Sequence, residues 1–300
     1  MANDTNKYAA LDTMSEEALQ AFKVETASIL LPEDMQDRSG YYTSLGLVRP
    51  FAVGEPVLVA EGDSWFDYLP GTDIIDCLKK FHNFRIKSFA DAGDTLENMI
   101  YGTEYGSGFS PKPCQFQLVL EAVARLEPKA FLFSGGGNDI AGSEFEAYLD
   151  HAGTQRPDCL RQTYVTHMFQ YFEAMLQDMI NQVLAASPKT TIIMHGYAPP
   201  LPSGRGVQFF GFKFAGPWLR PALAKKRITD FAKGAAIVAR LINLYNDMLS
   251  RLAAGNSRFL YVDLRPLVDP QEDWVNELHL RNSAYARVAD KIAGVINSLP

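Results

Sequence analysis

The sequence predicts an α/β protein built on a doubly wound parallel sheet with helices on both faces. Along its 300 residues, short apolar segments rich in β-branched or aromatic side chains alternate with longer patterns of helical period. This alternation favours parallel strands, because parallel neighbours need long crossovers and a helix that packs back onto the sheet supplies one. Such sheets bind ligands beyond the carboxyl ends of their strands, so we expect functional residues directly after each strand.

Turn-forming residues bound five predicted strands and separate them from the helical patterns. The predicted strands are 56–60, 85–89, 130–134, 190–195 and 258–262. The predicted helices are 15–30, 95–101, 114–126, 161–186, 234–254 and 283–298. Five strands with helices between them fit one domain, as is common for α/β chains of this length.

Two segments lie outside this regular pattern. Residues 1–50 are interpreted as an N-terminal extension, whose helix begins at a capping box from Thr13 to Glu16. Residues 51–300 form the main domain, with a long insertion near 199–233 of the kind that usually serves as a functional rim or lid. The aromatic residues of the insertion either line a pocket or pack the insertion onto its own domain. They are Phe209, Phe210, Phe212, Phe214 and Trp218.

The charge balance and the apolar pattern exclude several functions and locations. Acidic side chains outnumber basic ones by 35 to 28, which gives a formal net charge of −7. Nucleic acid and anionic lipid require clustered basic side chains, so neither is an expected partner. No apolar run reaches transmembrane length, and residues 1–11 lack the features of a signal peptide. We therefore expect no membrane span and a cytoplasmic location, where Cys77, Cys114 and Cys159 stay reduced.

Gly62, Asp63 and Ser64 follow the first predicted strand. A serine here places its hydroxyl at the ligand edge of the sheet and its amide at the start of the next expected helix, where developing negative charge is favoured. Ser64 is therefore suited to act as a nucleophile. Taken alone, however, the three residues fit a simple cap of that helix better.

A glycine run, residues 135–139, follows the third predicted strand. It lacks the Lys-Ser/Thr pair of a Walker loop, so phosphate binding is not expected. The side chain of Asn138 offers two N–H groups, and an amide held close to a reacting atom by small neighbours can stabilise an oxyanion. A tight turn in which Asn138 and Asp139 cap a loop explains the same residues, and the sequence leaves both interpretations open.

His279 precedes the last predicted helix, far along the chain from Ser64, so that only the fold can bring the two together. The five histidines have neither the mutual spacing nor the neighbouring cysteines and carboxylates of a metal site. The sequence therefore predicts no bound metal.

The order of these blocks resembles the SGNH hydrolase superfamily, also called GDSL esterases and lipases. The blocks are Gly62 to Ser64, Gly93, Gly136 to Asn138, and His279. The resemblance covers residues 55–298 and implies a flavodoxin-like, five-stranded sheet of order 2-1-3-4-5. Trp65 after the serine and Leu280 after the histidine are typical of a divergent subfamily.

The resemblance also implies a role for each matched residue. Ser64 corresponds to the nucleophile and His279 to the general base that takes its proton. The amides of Ser64 and Gly93 and the side chain of Asn138 correspond to the donors of the oxyanion hole. This chemistry requires no metal and no organic cofactor.

One departure from the superfamily concerns the residue that orients His279. The superfamily usually has Asp three residues before its histidine, whereas this chain has Asn276. An Asn amide supplies no charge and can turn either its oxygen or its nitrogen to the imidazole. We therefore expect the nearby carboxylate of Asp273 to orient His279, in preference to Glu277, with Asn276 as the alternative.

The sequence thus predicts a serine hydrolase that cleaves an ester or O-acyl group through an acyl-enzyme on Ser64. A catalytically silent ligand-binding module on the same fold and an O-acyltransferase are the alternatives. The expected partner is a small-molecule or carbohydrate ester substrate. The sequence leaves open whether the protein forms a homo-oligomer.

Overall fold

The computed structural model describes most of the chain. The described residues are 7–27, 57–69, 71–142, 144–154, 156, 158–209 and 212–300. Much of the N-terminal extension, including residues 28–30 of the expected helix, lies outside them, as does residue 56 of the first expected strand.

Five parallel strands form the central sheet. They are β1 (Val57–Gly62), β2 (Arg85–Ser88), β3 (Ala130–Ser134), β4 (Thr191–His195) and β7 (Phe259–Val262), and they lie in the order β2-β1-β3-β4-β7. Counted among the strands of this sheet, the order is 2-1-3-4-5, which confirms the predicted fold class. Each predicted strand overlaps an observed one.

A separate antiparallel hairpin lies within the predicted insertion. Its strands are β5 (Val207–Phe209) and β6 (Phe212–Ala215). The side chains of residues 208–214, which include Phe209, Phe210, Phe212 and Phe214, lie outside the described ones. Trp218, which follows the hairpin, is described.

Ten α-helices are present in the described part of the chain. They are α1 (Glu16–Ala27), α2 (Ile74–His82), α3 (Leu96–Tyr101), α4 (Phe116–Leu126), α5 (Gly137–Ala141), α6 (Phe145–Tyr148), α7 (Gln162–Ala186), α8 (Arg220–Lys225), α9 (Phe231–Gly255) and α10 (Asn282–Ser298). All six predicted helices overlap an observed one. The six predicted helices do not include α2, α5, α6 or α8.

The central strands are buried between two groups of helices. Every residue of β3 and β4 is buried. One group contains α1, α2 and α10, and the other contains α3, α4, α7 and α9. In a parallel sheet covered in this way, a ligand can bind beyond the carboxyl ends of the strands.

The described part of the N-terminal extension is joined to the main domain by polar contacts. The amide and the hydroxyl of Ser283 both donate to the carboxylate of Asp12, at 2.9 and 2.6 Å. In α1, Lys23 Nζ lies 2.7 Å from a carboxylate oxygen of Asp73 and 2.7 Å from one of Asp76. Burial, reinforced by the neighbouring Asp76, raises the pKa of Asp73 to about 7. Lys23 thus lies between two buried carboxylates and holds α1 to the domain.

None of the helices described in the structure is both long and apolar enough to span a bilayer.

Candidate active site

Ser64 lies in a tight turn directly after β1. A side chain at Gly62 would bring its Cβ within 2.8 Å of the Ser134 Cβ, so only glycine fits beside β3. The side chain of Asp63 then accepts a hydrogen bond from the amide of Trp65 at 3.0 Å, which closes the turn around Ser64. The helix that we expected to begin at Ser64 is absent. The first helix after β1 begins only at Ile74, where Asp73 supplies the cap.

Asp63 ties the serine turn to two neighbouring strands. Its Oδ1 accepts a hydrogen bond from the Ser134 hydroxyl at 2.8 Å, at the end of β3. Its Oδ2 accepts one from the Tyr197 hydroxyl at 2.6 Å, just beyond β4. Asp63 is buried, and such charge-assisted hydrogen bonds are stronger than neutral ones. The turn that carries Ser64 is thus held from three strands at once.

The fold brings His279 to Ser64 across 215 residues of sequence. His279 Nε2 lies 2.8 Å from Ser64 Oγ, which is hydrogen-bond distance. A bridge between Trp274 and Leu280 closes the loop that carries the histidine, and the amide of Val275 donates to the carbonyl of His279 at 3.0 Å. The position of the imidazole therefore follows from a short hairpin-like loop.

His279 is neutral over most of the pH range. His279 is only 4% exposed to solvent, and burial lowers the pKa of its imidazole from the ordinary value of 6.5 to about 3. Desolvation disfavours the charged imidazolium, so burial shifts the pKa of a histidine downward. A neutral imidazole is the form that can accept a proton from a hydroxyl.

Asn276 contacts the other ring nitrogen of His279. Its Oδ1 lies 3.1 Å from His279 Nδ1 and accepts hydrogen bonds from the backbone amides of Leu278 and His279, both at 2.9 Å. Backbone N–H groups can only donate, so the atom that faces them must be the side-chain oxygen. That oxygen can only accept from Nδ1, so Nδ1 carries the proton and Nε2 is bare toward Ser64. The two backbone amides thus fix which atom of the Asn276 side chain, the oxygen or the nitrogen, faces the imidazole.

Asp273, which we expected to orient His279, is bound elsewhere. Its Oδ2 lies 2.6 Å from a guanidinium nitrogen of Arg287 and accepts a hydrogen bond from the amide of Asp269 at 2.7 Å. Asp273 comes before the bridge formed by Trp274, at the base of the loop, whereas Asn276 lies within the loop beside the histidine. The preference for Asp273 over Asn276 is therefore corrected.

Glu277 does not contact the imidazole either. Its fully buried carboxylate accepts four backbone hydrogen bonds, at distances of 2.6 to 3.1 Å. The donors are Gly204, Trp218, Leu219 and Arg220. Glu277 therefore anchors the insertion, including the first turn of α8, to the loop that carries His279.

The residues expected to form an oxyanion hole lie at the same edge of the sheet. Gly93, after β2, has a φ of +98°, a backbone conformation that favours glycine. Within the described ranges, neither the Ser64 amide nor the Gly93 amide donates to another protein group. Asn138, in the first turn of α5, donates one amide hydrogen to the Asp94 carbonyl at 2.8 Å and keeps a second one. These three groups are the ones that the sequence predicts as donors to a substrate oxygen.

A small apolar cleft of about 30 Å³ adjoins Ser64 and Asn138. Its apolar lining comes from the serine turn, α5, the segment after β4, the N-cap residue of α8, α9 and the histidine loop. This lining includes Trp65, Ile140, Leu219, Val238, Trp274 and Leu278. The cleft lies at the carboxyl edge of a sheet whose strand order is the flavodoxin-like one that the sequence predicts.

The chain is similar, at low sequence identity, to several solved structures of esterases and lipases. No protein-family model and no curated protein matches the chain. Among solved structures, the chain resembles a lipase from a goat rumen metagenome, with 13% identity, a TM-score of 0.49, and coverage of 80% of this chain and 97% of the lipase. It resembles a carbohydrate acetylesterase from Sinorhizobium meliloti with 14% identity, a TM-score of 0.47, and coverage of 82% and 100%. An extracellular lipase from Streptomyces rimosus shows 13% identity, a TM-score of 0.47 and the same coverage. No activity or substrate is carried over from these proteins to this chain.

Two aromatic side chains cover His279. The ring of Tyr68 stacks on the imidazole with centroids 4.1 Å apart and an interplanar angle of 14°. Trp218, from the insertion, approaches the imidazole edge-on at 5.8 Å. The sequence gives no signal for Tyr68, because no spacing rule relates a residue four positions after a serine to a histidine far along the chain.

Proposed function

We propose that this protein is a serine hydrolase that cleaves an ester or O-acyl group through an acyl-enzyme on Ser64. The contact between Ser64 Oγ and a bare, neutral His279 Nε2 at 2.8 Å carries this proposal. A serine hydroxyl is a weak nucleophile until a base within hydrogen-bond reach takes its proton. This pair meets that requirement, and it lies beside unengaged backbone donors and an apolar cleft.

In the proposed reaction, His279 accepts the proton of Ser64 as Oγ forms a bond to the carbonyl carbon of the substrate. The resulting oxyanion accepts hydrogen bonds from the amides of Ser64 and Gly93 and from the side chain of Asn138. The intermediate collapses when the bond to the leaving oxygen breaks and His279 gives its proton to the departing alcohol. A water molecule, deprotonated by the same imidazole, then attacks the acyl-enzyme and releases the carboxylic acid.

Asn276 takes the place of an orienting carboxylate in this scheme. In serine proteases the change from Asp to Asn lowers kcat about 10⁴-fold because the histidine adopts the wrong tautomer. Here the backbone amides of Leu278 and His279 fix the Asn276 oxygen toward Nδ1, which avoids that loss. The remaining cost is the missing negative charge beside the imidazolium that forms during the reaction.

The cleft favours an uncharged acyl group. Trp65, Leu219 and Leu278 are among the apolar side chains on its walls, and burying a charged group against such walls costs free energy. The substrate class that fits is therefore an ester whose acyl part is apolar. The proposed partner remains a small-molecule or carbohydrate ester.

Turnover of nitrophenyl esters of increasing acyl length tests this function. We expect the wild-type protein to hydrolyse at least one of them, and we expect Ser64→Ala and His279→Gln to abolish turnover while the fold persists. Ser298→Ala, an exposed serine at the end of α10, is the matched control and should keep full activity. Hydrolysis by Ser64→Ala at the wild-type rate, or no hydrolysis of any ester by folded wild-type protein, contradicts the proposal.

A further inference from the structure

Tyr68 forms two contacts with the pair that orients the proposed base. Its ring lies against one face of the His279 imidazole at 4.1 Å, and its hydroxyl accepts a hydrogen bond from Asn276 Nδ2 at 3.3 Å. All three residues are buried. Tyr68 therefore touches the histidine and the Asn that fixes the histidine tautomer.

The backbone of Tyr68 is itself held in place. The Tyr68 amide donates to Asp73 Oδ2 at 3.2 Å, and the same carboxylate oxygen lies 2.7 Å from Lys23 Nζ. Tyr68 thus joins the serine turn to the N-cap of α2 and, through Lys23, to α1. A ring fixed in this way presents a rigid surface to the imidazole.

We propose that Tyr68 is a positioning residue for His279, an inference that rests on the proposed function. In a Ser-His-Asp triad a charged carboxylate holds the imidazole, and hydrogen bonds to charged groups are roughly twice as strong as neutral ones. Asn276 offers only a neutral hydrogen bond at 3.1 Å. The stacked ring of Tyr68 supplies the missing restraint, because it blocks rotation of the imidazole away from Ser64 and keeps water from that face.

The Tyr68 hydroxyl completes the surroundings of Asn276. The Oδ1 of Asn276 is occupied by two backbone amides and Nδ1, so its Nδ2 needs an acceptor in a buried position. Tyr68 provides that acceptor, and burial raises the pKa of the phenol to about 12, so the hydroxyl stays neutral. Neither contact of Tyr68 therefore adds charge beside the imidazole.

In the described part of the chain, the carboxylates of the elements around His279 have partners other than the imidazole. In the histidine loop, Asp273 pairs with Arg287 and Glu277 accepts four backbone amides. In the serine turn, Asp63 is bound by Ser134 and Tyr197. From the insertion, Trp218 presents an uncharged ring. Burial is accordingly the cause of the low pKa of His279, and removing the Tyr68 ring should raise that pKa by admitting water.

Tyr68→Leu and Tyr68→Phe test the proposal, with Phe66→Leu as the matched control. Phe66 lies in the same turn, is 4% exposed against 5% for Tyr68, and contacts the ring of His195 instead. The measurements are kcat and KM for an ester substrate, and the rate at which a fluorophosphonate labels Ser64, each as a function of pH. For Tyr68→Leu we expect kcat to fall by about 10²-fold with little change in KM, because a misplaced catalytic group costs about that much. We also expect the acid limb of the pH profile to move to higher pH.

Tyr68→Phe keeps the ring and loses the hydroxyl that accepts from Asn276 Nδ2, so kcat and the labelling rate should both fall by about tenfold and the acid limb should stay in place. If Tyr68→Leu does not fold, a Tyr68→Phe protein with the wild-type labelling rate overturns the inference. Wild-type kcat and acid limb in both variants, or the same acid-limb shift in Phe66→Leu, also overturn it. A wild-type protein that the fluorophosphonate does not label contradicts the proposed function itself, which separates the two failures.

Discussion

Replacing Asn276 with Asp should raise the pKa of His279. The new carboxylate can keep every contact of the Asn276 amide. One of its oxygens accepts from the two backbone amides and from His279 Nδ1. The other can accept from the Tyr68 hydroxyl, which then donates where it now accepts. The substitution therefore adds a negative charge beside the imidazole without removing a partner. An opposite charge at this distance favours the imidazolium, so the sign of the shift is upward.

The expected size follows from the separation of the two groups. Asn276 Oδ1 lies 3.1 Å from His279 Nδ1, so a carboxylate there places the two charge centres about 4 Å apart. Two unit charges at about 4 Å attract by about 4 kcal/mol at an effective dielectric constant of about 20, which corresponds to about three pKa units. The pKa of His279 should thus move from about 3 toward its ordinary value of 6.5. Shifts measured for such pairs are about 1–3 units.

The pH dependence of kcat/KM measures this shift, because its acid limb reports the pKa of the essential base in the free enzyme. The neutral imidazole is the active form, so a raised pKa removes activity at mildly acidic pH, where the wild-type protein still works. Asn243→Asp adds the same charge at an exposed position and should leave the limb unchanged. Circular dichroism at each pH separates titration from unfolding. An acid limb that does not move in Asn276→Asp refutes the assignment of Asn276 as the partner of His279.

Three further substitutions test separate parts of the account. Asn138→Ala should lower kcat for an ester by about 10²–10³-fold, as deletion of a single oxyanion donor does, and an unchanged kcat would assign Asn138 to the turn alone. Asp273→Asn leaves Arg287 without its counterion, so urea denaturation should show a loss of about 3–5 kcal/mol while kcat of the folded enzyme persists. A large fall in kcat with unchanged stability would restore Asp273 as the orienting residue. Lys23→Met, which removes the partner of the buried Asp73, should cost a similar amount in the same assay, and no loss would show that this ion pair does not hold α1.

The strands and the positions of Ser64, Gly93 and Asn138 after them could be predicted from local signals, whereas the strand order and the role of His279 were implied by the resemblance to the SGNH hydrolases. Apolar segments of strand length and turn residues after them locate the carboxyl ends of the strands. Since these ends meet at one edge, Ser64, Gly93 and Asn138 were expected near one another. The insertion was recognised from its length, but its hairpin and the contacts of Glu277 were not.

The contacts around His279 could not be predicted, because they depend on side-chain direction within a loop. Asp273 and Asn276 are close in sequence, and only the bridge between Trp274 and Leu280 decides which of them reaches the imidazole. The stacking of Tyr68 requires two distant segments to meet at 4.1 Å, and sequence periodicity carries no information on such a contact. The prediction of a helix beginning at Ser64 was wrong, since the side chain of Asp63 closes a turn there instead.

Covalent labelling of Ser64 tests the central claim most directly. A fluorophosphonate reacts with a serine whose hydroxyl is activated by a neighbouring base, and peptide mass spectrometry identifies the modified residue. We expect the wild-type protein to carry the label on Ser64, and we expect His279→Gln to label far more slowly although its serine is intact. Folded wild-type protein that carries no label on Ser64, or His279→Gln that labels at the wild-type rate, would contradict activation of Ser64 by His279.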